Sequence, residues 1–157
     1  MNRLLPYLVL YLLFLVQAAL SPWSPDLLLL TVIALAVTNE RDRSPGVTRL
    51  VSCGHGAFAG LLLDLLTPGA FGLNLFIYAV VGYGAALLVN ITYHAAWVAL
   101  PLVFFALLFR LLGGLLTPAG TPPVAPLLVT ALLTILLAFP WQWVVRLLSG
   151  PPRVNTG

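Results

Sequence analysis

The chain has 157 residues, 61% hydrophobic and only 7% charged, and its net charge of +3 sets seven Arg and no Lys against Asp26, Glu40, Asp42 and Asp64. Soluble domains carry about 25% charged residues, so this is the composition of a membrane protein. Six apolar segments leave only short loops, which excludes a soluble catalytic domain. The arginines are too sparse and dispersed for a nucleic-acid surface, and the lone Cys53 excludes an intrachain disulfide.

The first apolar segment runs from Leu4 to Leu20, just after Arg3. Seventeen residues at ~1.5 Å rise reach roughly 25 Å, slightly under the ~30 Å hydrocarbon core. Its basic start and the small residues Ala18, Ala19 and Ser21 fit a cleaved leader. However, the apolar run exceeds a usual leader core and a second apolar segment follows at once, so it is read as a retained span. Ser21 to Pro25 is a turn, since two prolines cannot continue a helix and Trp23 suits the headgroup level. Asp26 then stands at the start of a short second span, Leu27–Thr38. There it acts either as a cap on the positive end of the helix dipole or as a polar contact on the outer face. Asn39 to Arg49, with three arginines, is a cytoplasmic loop by the positive-inside rule.

The third span, Leu50–Leu66, and the fourth, Asn74–Asn90, form a hairpin around a Pro/Gly turn in which Pro68 fixes φ and Gly69 and Gly72 supply unusual conformations. At helical spacing Gly56, Gly60 and Asp64 fall on one face of the third span. Asn74, Tyr78, Gly82 and Ala86 fall on one face of the fourth, and Tyr83 is grouped with Asp64, Asn74 and Tyr78 as a polar hairpin or small outer pocket. Small-residue faces of this kind let membrane helices approach closely. The fifth span is read as His94–Leu112 with a kink at Pro101, then an outer loop Gly113–Pro123. The sixth is Val124–Leu147, with Pro140 as a kink and Trp141 and Trp143 near the inner interface. The expectation is an all-α polytopic protein: one domain of six transmembrane helices over residues 1–150 and a short tail, 151–157.

Six spans put both termini on one side. With the termini cytoplasmic, Arg3, Arg41, Arg43, Arg49, Arg146 and Arg153 all lie inside, and Arg110 alone falls near the outer end with Asp26 and Asp64. Charged groups within spans are costly unless paired or hydrated. Arg110 therefore either pairs with Asp64 or Asp26, or reaches to the outer headgroups while Asp64 accepts from turn amides. His55 and His94 fall at inner ends, where an interfacial role is expected, and no Cys/His set stands at metal-ligand spacing. No nucleophile, acid/base pair or cofactor motif is present, so neither enzyme activity nor a cofactor is expected.

The Pro25-Asp26-Leu27 start of the second span resembles the bacterial rod-shape-determining MreD family. So does the run Phe58-Ala59-Gly60-Leu61-Leu62-Leu63-Asp64, followed by Pro68-Gly69-Ala70-Phe71-Gly72-Leu73-Asn74, Tyr78 and Val81-Gly82-Tyr83. The likeness covers nearly the whole chain, although the charged Asn39–Gly46 run departs from it. It implies an inner-membrane, non-enzymatic scaffold of the cell-elongation machinery that builds lateral peptidoglycan. Such a protein binds the single-span protein MreC and, through it, connects to MreB filaments, RodA and a penicillin-binding transpeptidase; homo-oligomers are also possible. The family is similar in fold to the substrate-binding S-components of vitamin transporters, which implies an S-component-like bundle. It also leaves a second reading open, a solute-binding transporter subunit with an outer pocket at Asp64, Asn74 and Tyr78. S-components dock through small residues on their first helix, whereas here Leu4 to Gln17 is bulky throughout.

Overall fold

The computed structural model describes residues 4–20, 25–39, 45–66, 71–89, 95–116 and 124–149. These residues form six α-helices and no strand: α1 (Leu5–Ala19), α2 (Leu27–Asn39), α3 (Pro45–Leu66), α4 (Leu73–Leu88), α5 (Ala95–Leu116) and α6 (Val124–Ser149). Pro68, Gly69, Trp23, His94 and the Arg41/Arg43 loop lie outside the described residues.

The shortest helix sits at the centre. Every residue from Leu28 to Val37 is buried, and α2 touches all five other helices. Their neighbour order around it is α1, α3, α4, α5, α6. A helix apolar on all sides has no polar face to give to water, so it settles where partners surround it. From LLLLTVIALAVT, Val32, Ile33, Leu35 and Ala36 share one buried apolar cluster with Leu10 and Phe14 of α1, Ile77 and Val81 of α4 and Val98 and Val103 of α5.

The closest pair is α3 with α4. A Cβ added at Gly56 would overlap the backbone carbonyl of Tyr78, one at Gly60 the carbonyl of Asn74, and one at Gly82 the carbonyl of Ser52. Each step of four residues along α3 thus meets a step of four back along α4. One step further, Ala86 comes level with Thr48, and both are buried. In the other direction the same register delivers Asp64 to the start of α4. Backbones meet here without intervening side chains, which maximises van der Waals contact where burial from water offers little drive.

Two helix boundaries differ from expectation by more than two residues. Helix α3 begins at Pro45 rather than Leu50, since proline at a first helical position lacks only an amide that would be unbonded anyway. Helix α5 continues through Gly113 to Leu116 instead of ending at Leu112. Gly113 is not a breaker but a close-approach point: a Cβ there would strike the side chain of Leu73. Pro101 and Pro140 both lie inside continuous helices.

The outside of the bundle is apolar. Leu8, Leu12 and Leu15 of α1, Trp97, Phe104 and Leu108 of α5, and Leu128, Leu132, Leu136 and Phe139 of α6 are all exposed. Two helices, over Gly46–Leu66 and Val124–Trp141, are long and apolar enough to cross a membrane, and shorter apolar helices accompany them.

Candidate functional site

Two aspartates organise the polar interior, both at the end of the bundle where α3 and α5 finish and α2, α4 and α6 begin. The first is Asp64, in the last turn of α3. Its Oδ2 accepts from the backbone amides of Gly72 (2.9 Å) and Leu75 (3.0 Å), and its Oδ1 accepts from the amide (3.1 Å) and side-chain Nδ2 (3.0 Å) of Asn74. The first amides of a helix have no partner inside it. Gly72, the residue before α4, has φ +94° and no side chain to cap with. Asp64 supplies that cap from the neighbouring helix, and its charge sits against the positive end of the α4 dipole.

The second is Asp26, 3% exposed at the start of α2. Its Oδ1 accepts from the amide of Leu29 at 3.0 Å, an N-cap within its own helix. Its Oδ2 receives the hydroxyl of Tyr78 at 2.5 Å and Nη2 of Arg110 at 3.0 Å. The same Nη2 lies 3.2 Å from the Tyr78 oxygen, and the guanidinium carbon stands 5.8 Å from the centre of the Tyr78 ring. The Asp26 amide donates to Oγ1 of Thr134 at 2.9 Å, and Thr134 donates to the carbonyl of Thr130 at 2.6 Å. The next free amide, that of Leu28, donates to Oε1 of Gln17 in α1 at 3.2 Å. Asp26 and the residues around it thereby join α1, α2, α4, α5 and α6.

Both acids considered as partners of Arg110 are therefore engaged, and the ion pair falls on Asp26. Of the two partners offered for Arg110, Asp26 takes the pair, while the α3–α4 register turns Asp64 onto backbone amides at the start of α4, the acceptor role that was its alternative. Tyr78 sits not in a pocket with Asp64 but fully buried between α3 and the Asp26 carboxylate. Tyr83 is 41% exposed and takes no part, since one residue beyond Gly82 the helix has turned about 100° away from the small-residue face. His55 is buried against the edge of the Tyr7 ring, 5.0 Å between centroids, rather than at an interface.

The pair is also deeper than its sequence position implied. Thr134 lies ten residues into α6, roughly 15 Å along its axis, and α5 continues beyond Arg110. Trp141, expected near the inner interface, donates Nε1 to Oγ1 of Thr31 at 3.1 Å within the bundle. Gln17, Thr31 and Thr134 escaped sequence reading. The available cue was uncharged hydrogen-bonding groups inside otherwise apolar helices, which need partners there.

Chemically, the arrangement fastens helices. Its carboxylates are saturated by donors from the protein itself, and among the described residues no three His, Cys, Asp or Glu gather to hold a metal. In comparisons with known proteins, the chain matches no family model, no curated protein and no solved structure.

Proposed function

We propose that this chain is a multi-pass, non-enzymatic scaffold of the bacterial cytoplasmic membrane, of the MreD type, which binds MreC and helps position the enzymes of lateral-wall synthesis. In this reading all six helices cross the bilayer and both termini are cytoplasmic. The Asp26 and Asp64 end then lies toward the outside. The 13 residues of α2 suffice because α2 is enclosed by longer helices and need not match the bilayer thickness itself. MreB, RodA and the transpeptidase are reached indirectly, through MreC.

One observation carries the reading. The residues on which the MreD resemblance rests, Asp26, Gly60, Asp64, Asn74, Tyr78 and Gly82, bond or pack against the protein's own helices. With these residues engaged inside the bundle, the working surfaces lie elsewhere, on the apolar outer faces of α1, α5 and α6. The test is photo-crosslinking in native membranes from exposed Leu12, Phe104 and Leu132, with identification of the captured proteins. An MreC-type single-span protein attached at one of these faces is expected, and capture of lipid alone at all three would refute the scaffold.

The solute-binding reading draws little from the cleft beside Arg110, whose cavity volume of about 20 Å³ admits a water-sized group only. A transporter subunit would carry a small molecule through purification and be stabilised by it. A scaffold would bring down its membrane partner with no ligand present.

A further inference from the structure

The helices differ in how they are held to one another. Helices α3 and α4 meet backbone to backbone at Gly56, Gly60 and Gly82. Helix α1 joins them through Tyr7, which packs edge-on against His55 and Phe58, and joins α2 through the Gln17 bond to the Leu28 amide. Helix α2 packs more extensively on α3 and α4 than on α5 or α6. By contrast, α5 and α6 each pack most extensively on the other. Where α5 approaches α4 the contact runs through flexible side chains: a Cβ at Gly84 would first meet Leu102, and one at Gly113 would first meet Leu73. The polar links from α5 and α6 to the other helices converge on the first half of α2. Arg110 reaches Asp26 and Tyr78, Thr134 accepts from the Asp26 amide, and Trp141 donates to Thr31.

Lipid chains are as apolar as Leu or Val, so within a bilayer no hydrophobic force presses a helix onto an apolar neighbour; packing and hydrogen bonds do. Drawing α5 and α6 away from α2 uncovers mainly Leu, Val and Ala side chains, which lipid can cover in their place. It also separates Asp26 from Arg110 and leaves two unpaired charges at bilayer depth, which is costly. The ion pair is therefore the main resistance to that motion. We propose that α5 and α6 form a leaf that moves as one body against α1–α4, and that the Asp26–Arg110 pair is the latch that holds it closed. Tyr78, Thr134 and Trp141 second the latch. Opening uncovers Asp26 and Tyr78 along one side of α2. The proposal rests on the bundle lying in a bilayer, and not on MreC binding or a role in cell elongation.

The experiment uses the full chain in bilayer discs of phosphatidylglycerol and phosphatidylcholine, with Cys53, the one native cysteine, changed to Ala. Spin-labelled cysteines are introduced in pairs at the exposed positions Leu12 of α1, Leu50 of α3, Phe104 of α5 and Leu132 of α6. Distances are read by pulsed electron paramagnetic resonance in this parent and in the double variant Asp26→Asn, Arg110→Gln, which removes both charges so that neither is stranded. In the double variant a second, longer distance, populated to about 10% or more, is expected for Leu50–Phe104 and for Leu50–Leu132 alike. The Leu12–Leu50 distance within the body and the Phe104–Leu132 distance within the leaf should stay as in the parent. Arg110→Lys, which keeps the charge but loses the planar fork, should show the same longer distance at lower population. Lengthening of only one of the two cross-pairs, or equal broadening within the body, overturns the proposal; should the double variant fail to fold, Arg110→Lys decides. A parent that does not enter the discs overturns the membrane reading and the leaf together. A parent that enters them, with both variants keeping its distances, overturns the leaf alone.

Discussion

The hydroxyl of Tyr78 donates a hydrogen bond to the carboxylate of Asp26 at 2.5 Å, although the two residues are 52 positions apart and belong to different helices. The same tyrosine offers its backbone carbonyl to the space left by Gly56 of α3. One residue thus links the close-packed α3–α4 pair to the start of the central helix.

Removing that hydroxyl should be costly out of proportion to its size. Tyr78→Phe keeps the ring and its burial but leaves Asp26 with one donor fewer. A loss of about 1–2 kcal/mol in unfolding free energy is expected, at the upper end for interhelical hydrogen bonds in membranes. Tyr83→Phe, on an exposed ring, should change thermal stability little.

The glycine register predicts a strict ranking. Gly56→Leu and Gly60→Leu place side chains into backbone carbonyls and should cost several times more than Leu62→Ala, which removes a partly buried side chain at a different point on α3. Gly46→Ala, with nothing within 4 Å, should be tolerated. Melting temperatures of the four proteins in one detergent read the order directly.

Asp64 is expected to govern the order of one helix end. In Asp64→Leu the amides of Gly72, Asn74 and Leu75 lose their acceptor, so the first turn of α4 should open more often. Hydrogen exchange at Leu75 should accelerate by at least tenfold, corresponding to about 1.4 kcal/mol, while exchange at Ile33 in the central helix follows only the global stability. Unchanged protection at Leu75 would show that Asp64 is not the cap of α4.

Much of this architecture was legible beforehand, and the failures have physical reasons. The close α3–α4 approach could be read from Gly56, Gly60, Gly82 and Ala86, because spacing within a helix is enough to define a face. The choice between Asp26 and Asp64 as partner of Arg110 could not. It depends on which helices are neighbours and on how far each continues, and α5 outran the Gly113 that looked like its end. Thr134 and Gln17 were invisible for another reason: a hydroxyl or amide in an apolar helix carries no charge to mark it, and its partner lies far away in sequence. The central place of α2 had a cue in its all-round apolarity, but its shortness drew attention to how it would span instead.

The bracing role of the buried polar residues is tested most directly by a double-mutant cycle on Asp26→Asn and Arg110→Gln, measured by equilibrium unfolding in detergent, with Asp64→Asn and Arg110→Gln as the parallel cycle. A coupling of about 1 kcal/mol or more is expected between Asp26 and Arg110, with near additivity between Asp64 and Arg110. Additive losses in the first cycle, or coupling that appears only in the second, would contradict it.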